Sequence, residues 1–262
     1  MSRDRPDPPG EARGSASDVA SFFDEIAPSW SARYSVPSQF QKRLRVVLSW
    51  CSQEEKRERL LDYGCGSGVL TTELVGNGSH VTAVDISPAM IEAARASLEA
   101  RGLNGDRYRL ELVDAEDFGG EYLAERYDGV VCLGVFEYVE RHELLASFLA
   151  RCVRPSGFLI VMVPNRRSIL RTFERIIYRH PRYFRRLSMF EHLTRENSYL
   201  RHQRRCYTID ELDDLLVGSG LVRERALFFA APNALRSLER LQRVGFQTLA
   251  LYRRPGSDEP PS

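Results

Sequence analysis

Three glycines at alternate positions, Gly64, Gly66 and Gly68, follow a run of apolar residues that carries a carboxylate, Asp62, at its end. A second apolar run closes on a second carboxylate, Asp85. Glycine permits backbone conformations and a close approach that side chains would block. The helix expected after the turn presents free N–H groups at its start. A carboxylate at the end of the second strand can accept protons from both hydroxyls of a ribose. These are the requirements of a nucleoside-bearing cofactor. The spacing is G-x-G-x-G, and Val69 stands where a dinucleotide fingerprint places its third glycine. Asp62 would repel a pyrophosphate and suits a cationic ligand, so the turn favours S-adenosylmethionine (SAM) over NAD.

The elements that must hold these residues alternate along the chain. Apolar runs at 59–63, 80–85, 108–113, 128–133 and 157–163 read as strands, and 68–76, 88–101 and 141–152 as helices between them. Such alternation predicts a doubly wound parallel sheet covered on both faces, with a ligand over the strand carboxyl ends where the strand order reverses. Upstream, helical spacing of Phe22, Phe23, Ile26 and Trp30 marks a first helix over 17–30, and Ser38–Cys51 a second. Downstream, 207–221 reads as a capped helix followed by two strands, VRERALFFA and GFQTLALY. Residues 1–16 and 254–262 are polar and rich in Pro, Gly and Ser, as disordered tails are.

LLDYGCGSG followed by VTAVDIS resembles the first two motifs of class I SAM-dependent methyltransferases. The likeness continues through LVDAEDF (112–118), YDGVVCLGVFEYV (127–139) and CVRPSGFLIVMVPN (152–165). It spans roughly residues 58–165 in order, which is far more specific than one glycine turn. The resemblance implies a Rossmann-like methyltransferase fold, with a seven-stranded, mostly parallel sheet whose last strand inserts antiparallel. The methyltransferase domain would cover 58–253, preceded by N-terminal helices over 17–57.

By this resemblance Asp62, Gly64, Cys65, Gly66 and Gly68 surround the methionine portion of SAM. Asp85 takes the ribose hydroxyls, and Ile86 and Met90 pack the adenine, although Met90 equally suits a helix residue facing the sheet. Asp114 accepts from the adenine amino group, with Ala115 giving backbone contacts; Glu116 and Asp117 are alternatives to Asp114. Leu133 and Gly134 lie beneath the sulfonium. Arg43 or Arg45, one helix upstream, would hold the SAM carboxylate, as in quinone-biosynthesis O-methyltransferases. Trp30 and Tyr34 either close over the site or pack against their own helices. Glu137 and Tyr138 stand where many small-molecule members carry Glu-His, so a histidine-dependent role at Tyr138 is in doubt.

Residues 165–206 are long for a loop in this fold. They hold twelve arginines against three acids, and Ile169, Leu170, Phe173, Ile176 and Ile177 recur at helical spacing. A basic amphipathic helix placed after the fifth strand is expected to be a lid over the acceptor. Its apolar face would line the acceptor pocket or dip into lipid, and its arginines would meet an anionic or amphipathic acceptor or an acidic bilayer. Methyl transfer needs alignment in a dry pocket, and a base where the acceptor loses a proton. His192 in the lid is the first candidate. Tyr138 and Tyr207 are further candidates for catalysis, with His142 and His202 behind them.

Composition narrows the classes. A net charge of +1 and a 43% hydrophobic fraction describe a globular chain with a sizeable core. Five cysteines without a C-x-x-C pair fit a reducing compartment. The polar N-terminus reads as no secretory signal and no apolar run reaches membrane-spanning length, so a cytoplasmic protein is expected. No metal-ligand spacing is found. LGVFEY stands where exocyclic-amine methylases carry an Asn/Asp-Pro-Pro-aromatic motif, and no Pro-Cys occurs. Nucleic acid therefore ranks below a small-molecule acceptor. The remaining alternative is a SAM-binding protein without turnover.

Overall fold

The computed structural model describes residues 16–34, 39–103, 105–114, 117–118, 127–179, 199–229 and 241–256. The expected tails fall mostly outside them, as do Ala115, Glu116, His192 and the middle of the lid.

Seven strands form one sheet in the order β3-β2-β1-β4-β5-β7-β6. They are β1 (Arg59–Tyr63), β2 (His80–Asp85), β3 (Tyr108–Leu112), β4 (Tyr127–Leu133), β5 (Val153–Pro164), β6 (Val222–Phe229) and β7 (Gln247–Arg253). The first five pair in parallel, and β7 runs antiparallel between β5 and β6. The seven-stranded, mostly parallel expectation is met. β5 begins earlier than its apolar run because Val153 pairs with Tyr127 before a register shift, after which Phe158 pairs with Gly129.

Successive residues point to opposite faces of a strand, and here both faces are covered. Leu61, Val130 and Val161 join one core with α5 (His142–Cys152), whereas Leu60, Val131 and Ile160 join another with α3 (Val69–Gly76) and α4 (Pro88–Ala100). This explains why the inner strands read as unbroken apolar runs. β1 pairs with β2 on one side and β4 on the other, so the order reverses at its carboxyl end. A crevice opens there.

Two helices precede the sheet, α1 (Ala16–Trp30) and α2 (Gln39–Ser52). After β5 come α6 (Ile169–Arg179), a single turn α7 (Tyr199–His202) and α8 (Ile209–Val217). α8 starts at a reciprocal cap: Thr208 Oγ1 accepts from the Glu211 amide and Glu211 Oε2 accepts from the Thr208 amide.

Candidate active site

The glycine turn is built by three residues in the left-handed region: φ is +78° at Gly64, +54° at Gly66 and +73° at Gly68. The reasons for glycine differ among them. A Cβ on Gly64 would lie 2.3 Å from Val135 Cγ2, and one on Gly68 2.7 Å from Ala94 Cβ. Those two positions are closed by the protein's own packing. At Gly66 the nearest atom is Trp30 Nε1, 3.2 Å away; Gly64 and Gly66 both line the cavity, as do Val135 and Trp30 beside them, whereas Gly68 lies outside its lining.

Asp85 stitches this turn to β2. Its Oδ2 accepts from the Gly66 amide at 2.8 Å and its Oδ1 from the Ser87 amide at 3.0 Å. A carboxylate has about four acceptor positions, so capacity remains for a hydroxyl. Burial raises its pKa, and these N–H donors oppose the rise. Asp62 accepts from Thr71 Oγ1 at 2.7 Å, and burial pushes its carboxyl up to about 6. The structure decides between the two arginines. Arg43 lines the cavity and bonds the Tyr34 hydroxyl, whereas Arg45 is exposed and bonds Gln41. Burial lowers Arg43 to about 10, with Glu137 and Asp62 pulling the other way.

One cavity of about 770 Å³ is lined by Asp62, Asp85 and Arg43 together with a set of aromatic rings. Its lining includes Cys65, Ile86, Met90 and Leu133, and the rings of Phe22, Phe23, Tyr138 and Phe246. Met90 is buried and lines the cavity. Trp30 and Tyr34 both pack on Phe40 and line the cavity, so wall and packing are one role. Asp114 is exposed and does not line the cavity.

Several candidates for catalysis are corrected. Tyr207 lies in the core, not the cavity: its hydroxyl donates to the Phe136 carbonyl at 3.1 Å, and burial raises its pKa further. His142 is engaged by Arg205 and Glu143 away from the cavity. His202 stacks on Phe22 outside the cavity lining. Tyr138 does line it, edge-on to Phe23.

Of the two expected placements of the lid helix's apolar face, on the acceptor pocket or turned outward, the described residues take the outward one. Ile169, Phe173 and Ile176 are 62%, 48% and 45% exposed, while Arg171 and Glu174 are 4% and 9% exposed and line the cavity. The 241–246 segment fixes this orientation. Asn165 Nδ2 donates to the Gln242 and Gly245 carbonyls, the Ile169 amide to Arg243, and Arg171 Nε to Phe246. The described apolar residues of α6 therefore do not form the acceptor pocket.

One residue escaped the sequence reading, and a second, Glu137, carried no role in it beyond its place before Tyr138. Asp24 of α1 accepts from Ser87 Oγ at 2.5 Å and from the Ala89 amide at 3.1 Å, clasping α1 to the start of α4. Nothing in its spacing marks it. Glu137 is buried against the cavity, and its Oε2 has no hydrogen-bond partner. Its place after an apolar strand was the available signal.

A methyltransferase domain family matches residues 35–223, well over half of the chain. The chain belongs to that family. This methyltransferase-domain protein is 29% identical over 155 residues to a ubiquinone biosynthesis O-methyltransferase of Thiobacillus denitrificans, covering 58% of this chain and 65% of the other. It is 39% identical over 111 residues to one of Methylocella silvestris, covering 41% and 40%. The chain thus spans less than two thirds of these curated relatives. Among solved structures, the magnesium protoporphyrin IX methyltransferase of Synechocystis PCC 6803 with bound SAH superimposes with TM-score 0.66 at 17% identity, covering 92% and 100%. A 4+2 cyclase, SpnF, superimposes with TM-score 0.64 at 15% identity, covering 95% and 100%. At these identities the likeness establishes fold.

SAM, the cofactor of class I methyltransferases, fits the residues of the cradle. Asp85 keeps acceptor capacity, Asp62 offers a negative charge beside the turn, and Arg43 offers a half-buried positive charge.

Proposed function

We propose that the protein transfers a methyl group from SAM to a hydroxyl oxygen of a small organic acceptor. The carrying observation is that one cavity is lined both by the glycine turn with Asp85 and by the rings of Phe22, Phe23, Tyr138 and Phe246. The O-methyltransferase relatives support oxygen as the atom methylated.

SAM bound there supplies a methyl group made electrophilic by its sulfonium. Asp85 holds the ribose hydroxyls, Ile86 and Met90 pack the base, and Arg43 holds the carboxylate. Asp62 faces the cationic part of the ligand. Phe22, Phe23 and Tyr138 exclude water and flatten the acceptor against the reacting centre, where alignment supplies much of the acceleration. Titration calorimetry with SAM, followed by measurement of S-adenosylhomocysteine formed with a panel of catechols and hydroxybenzoates, tests this reading. SAM binding without turnover on any acceptor would favour a non-transferring use of the fold.

A finer reading concerns delivery of the acceptor. The exposed Ile169, Phe173 and Ile176 sit on a helix that also carries Arg175, while Arg166 and Arg167 before it pair with Glu211 and Asp210; the exposed apolar face is what suits a bilayer surface. Among the described residues no helix is long and apolar enough to cross a membrane. We propose peripheral contact through α6, serving an amphipathic acceptor. Replacing the three apolar residues by serine is expected to abolish co-sedimentation with phosphatidylglycerol vesicles while leaving SAM affinity intact. Unchanged sedimentation would remove this reading.

A further inference from the structure

The residue that meets the acceptor's proton is the one question the methyl-transfer reading leaves to the chamber itself. β4 ends at Leu133, and Gly134, at φ +76°, bends the chain while its amide donates to the Met162 carbonyl at 3.0 Å. The following turn, closed by the Tyr138 amide on the Val135 carbonyl, carries Glu137 into the cavity. The Glu137 carbonyl accepts from the Arg204 amide at 2.7 Å, which fixes the backbone. Its Oε1 lies 3.5 Å from the position a Cβ on Gly134 would occupy. The carboxyl therefore stands over the bend that follows the fourth strand, in the lining of the cavity.

Glu137 is 6% exposed, and Oε2 lacks any hydrogen-bond donor. Leaving a buried carboxylate oxygen unsatisfied is costly, and native proteins rarely do so without a reason. Histidine does not supply an alternative among the described residues, since His142 and His202 lie off the cavity.

We propose that Glu137 is the general base of this site, receiving the proton of a neutral phenolic or enolic hydroxyl as the methyl group is transferred. This rests on the methyl-transfer reading above. The acceptor's O–H bond breaks and its electron pair forms the new O–CH3 bond. The C–S bond breaks with its pair remaining on sulfur, which becomes a neutral thioether. The proton ends on Glu137 and passes to water after product leaves, so atoms and charge balance.

The surroundings set the working pH. Burial pushes the Glu137 carboxyl up to about 7, with Arg171 and Arg43 opposing. The titratable and charged groups around it are Arg43 from α2, Asp62 from β1, Cys132 from β4, Arg171 and Glu174 from α6, and Cys206 and Tyr207 before α8. Burial raises the pKa of both thiols and of the Tyr207 phenol. A base must be ionised to act, so kcat/KM rises with pH through about 7.

Glu137→Gln keeps the shape and removes the basicity. With a catechol that wild type methylates, kcat is expected to fall by about 100-fold or more and the rising limb near pH 7 to vanish, with calorimetric SAM affinity retained. Glu137→Asp, one methylene shorter, should retain the limb at an intermediate rate. A Gln variant with wild-type turnover, or one that keeps the rising limb, overturns the assignment while leaving methyl transfer in place. Failure of wild type itself to bind SAM would overturn the methyl-transfer reading, and the assignment with it.

Discussion

Buried carboxylates occur at both ends of the central sheet, and their surroundings differ. At the amino end Asp128 accepts from the Glu58 and Arg59 amides at 2.7 and 3.1 Å and pairs with Arg154 at 2.6 Å. Beside it Glu54 takes both terminal nitrogens of Arg253, at 2.7 and 3.1 Å. At the carboxyl end Asp62, Asp85 and Glu137 are comparably buried, yet all three are raised by desolvation, and one oxygen of Glu137 has no donor. Burial alone does not mark a working acid. A partner set left incomplete does, because it is completed by what binds.

Three substitutions probe this contrast. The largest effect is expected at Gly66, where a branched side chain would have to adopt a left-handed backbone beneath Trp30. Gly66→Val should weaken SAM binding by about 100-fold or more, equivalent to roughly 2.7 kcal/mol. Far-UV circular dichroism should stay near wild type, and normal calorimetric binding would contradict a cradle at this turn. Next comes Asp85→Ala, which removes the acceptor of the ribose hydroxyls as well as the Gly66 and Ser87 tethers. SAM affinity should drop at least tenfold, about 1.5–3 kcal/mol. Equal affinity would show that the carboxylate only braces the turn. The amino end should answer in the opposite currency. Asp128→Ala strands two amides and Arg154, and is expected to lower the urea-unfolding free energy by roughly 1–3 kcal/mol with unchanged SAM affinity. Should that variant lose SAM affinity at wild-type stability, the two ends would not divide structure from binding.

The sequence showed the cofactor half of the site clearly and the acceptor half poorly. β1 and β2 match their expected bounds, because each is an apolar run ended by an acid and a turn. Gly64, Gly66, Gly68 and Asp85 follow from that local grammar. What the sequence could not show is which atoms crowd Gly64 and Gly68: Val135 and Ala94, remote in sequence. The Tyr207 hydroxyl is claimed by the carbonyl of Phe136, 71 residues away, and spacing could not reveal it. At α6 periodicity showed an apolar stripe but not which way it faces. Hydrogen bonds to the 241–246 segment set the helix with Arg171 and Glu174 inward. Long-range contacts decide orientation when they anchor the start of a short helix.

The Asp24 clasp ties together parts of the molecule that sequence keeps apart. The first turn of α4 has a neighbouring cap, Ser87 Oγ accepting from the Met90 amide, and a remote one, Asp24 accepting from Ala89 and from Ser87 itself. The neighbouring cap is intrinsic to α4, whereas the remote one exists only while α1 is docked. Met90 belongs to the turn so capped, and Trp30 ends the helix that supplies the remote cap. The floor and the roof of the cradle are thus a single cooperative unit: ordering either one lowers the entropic cost of ordering the other.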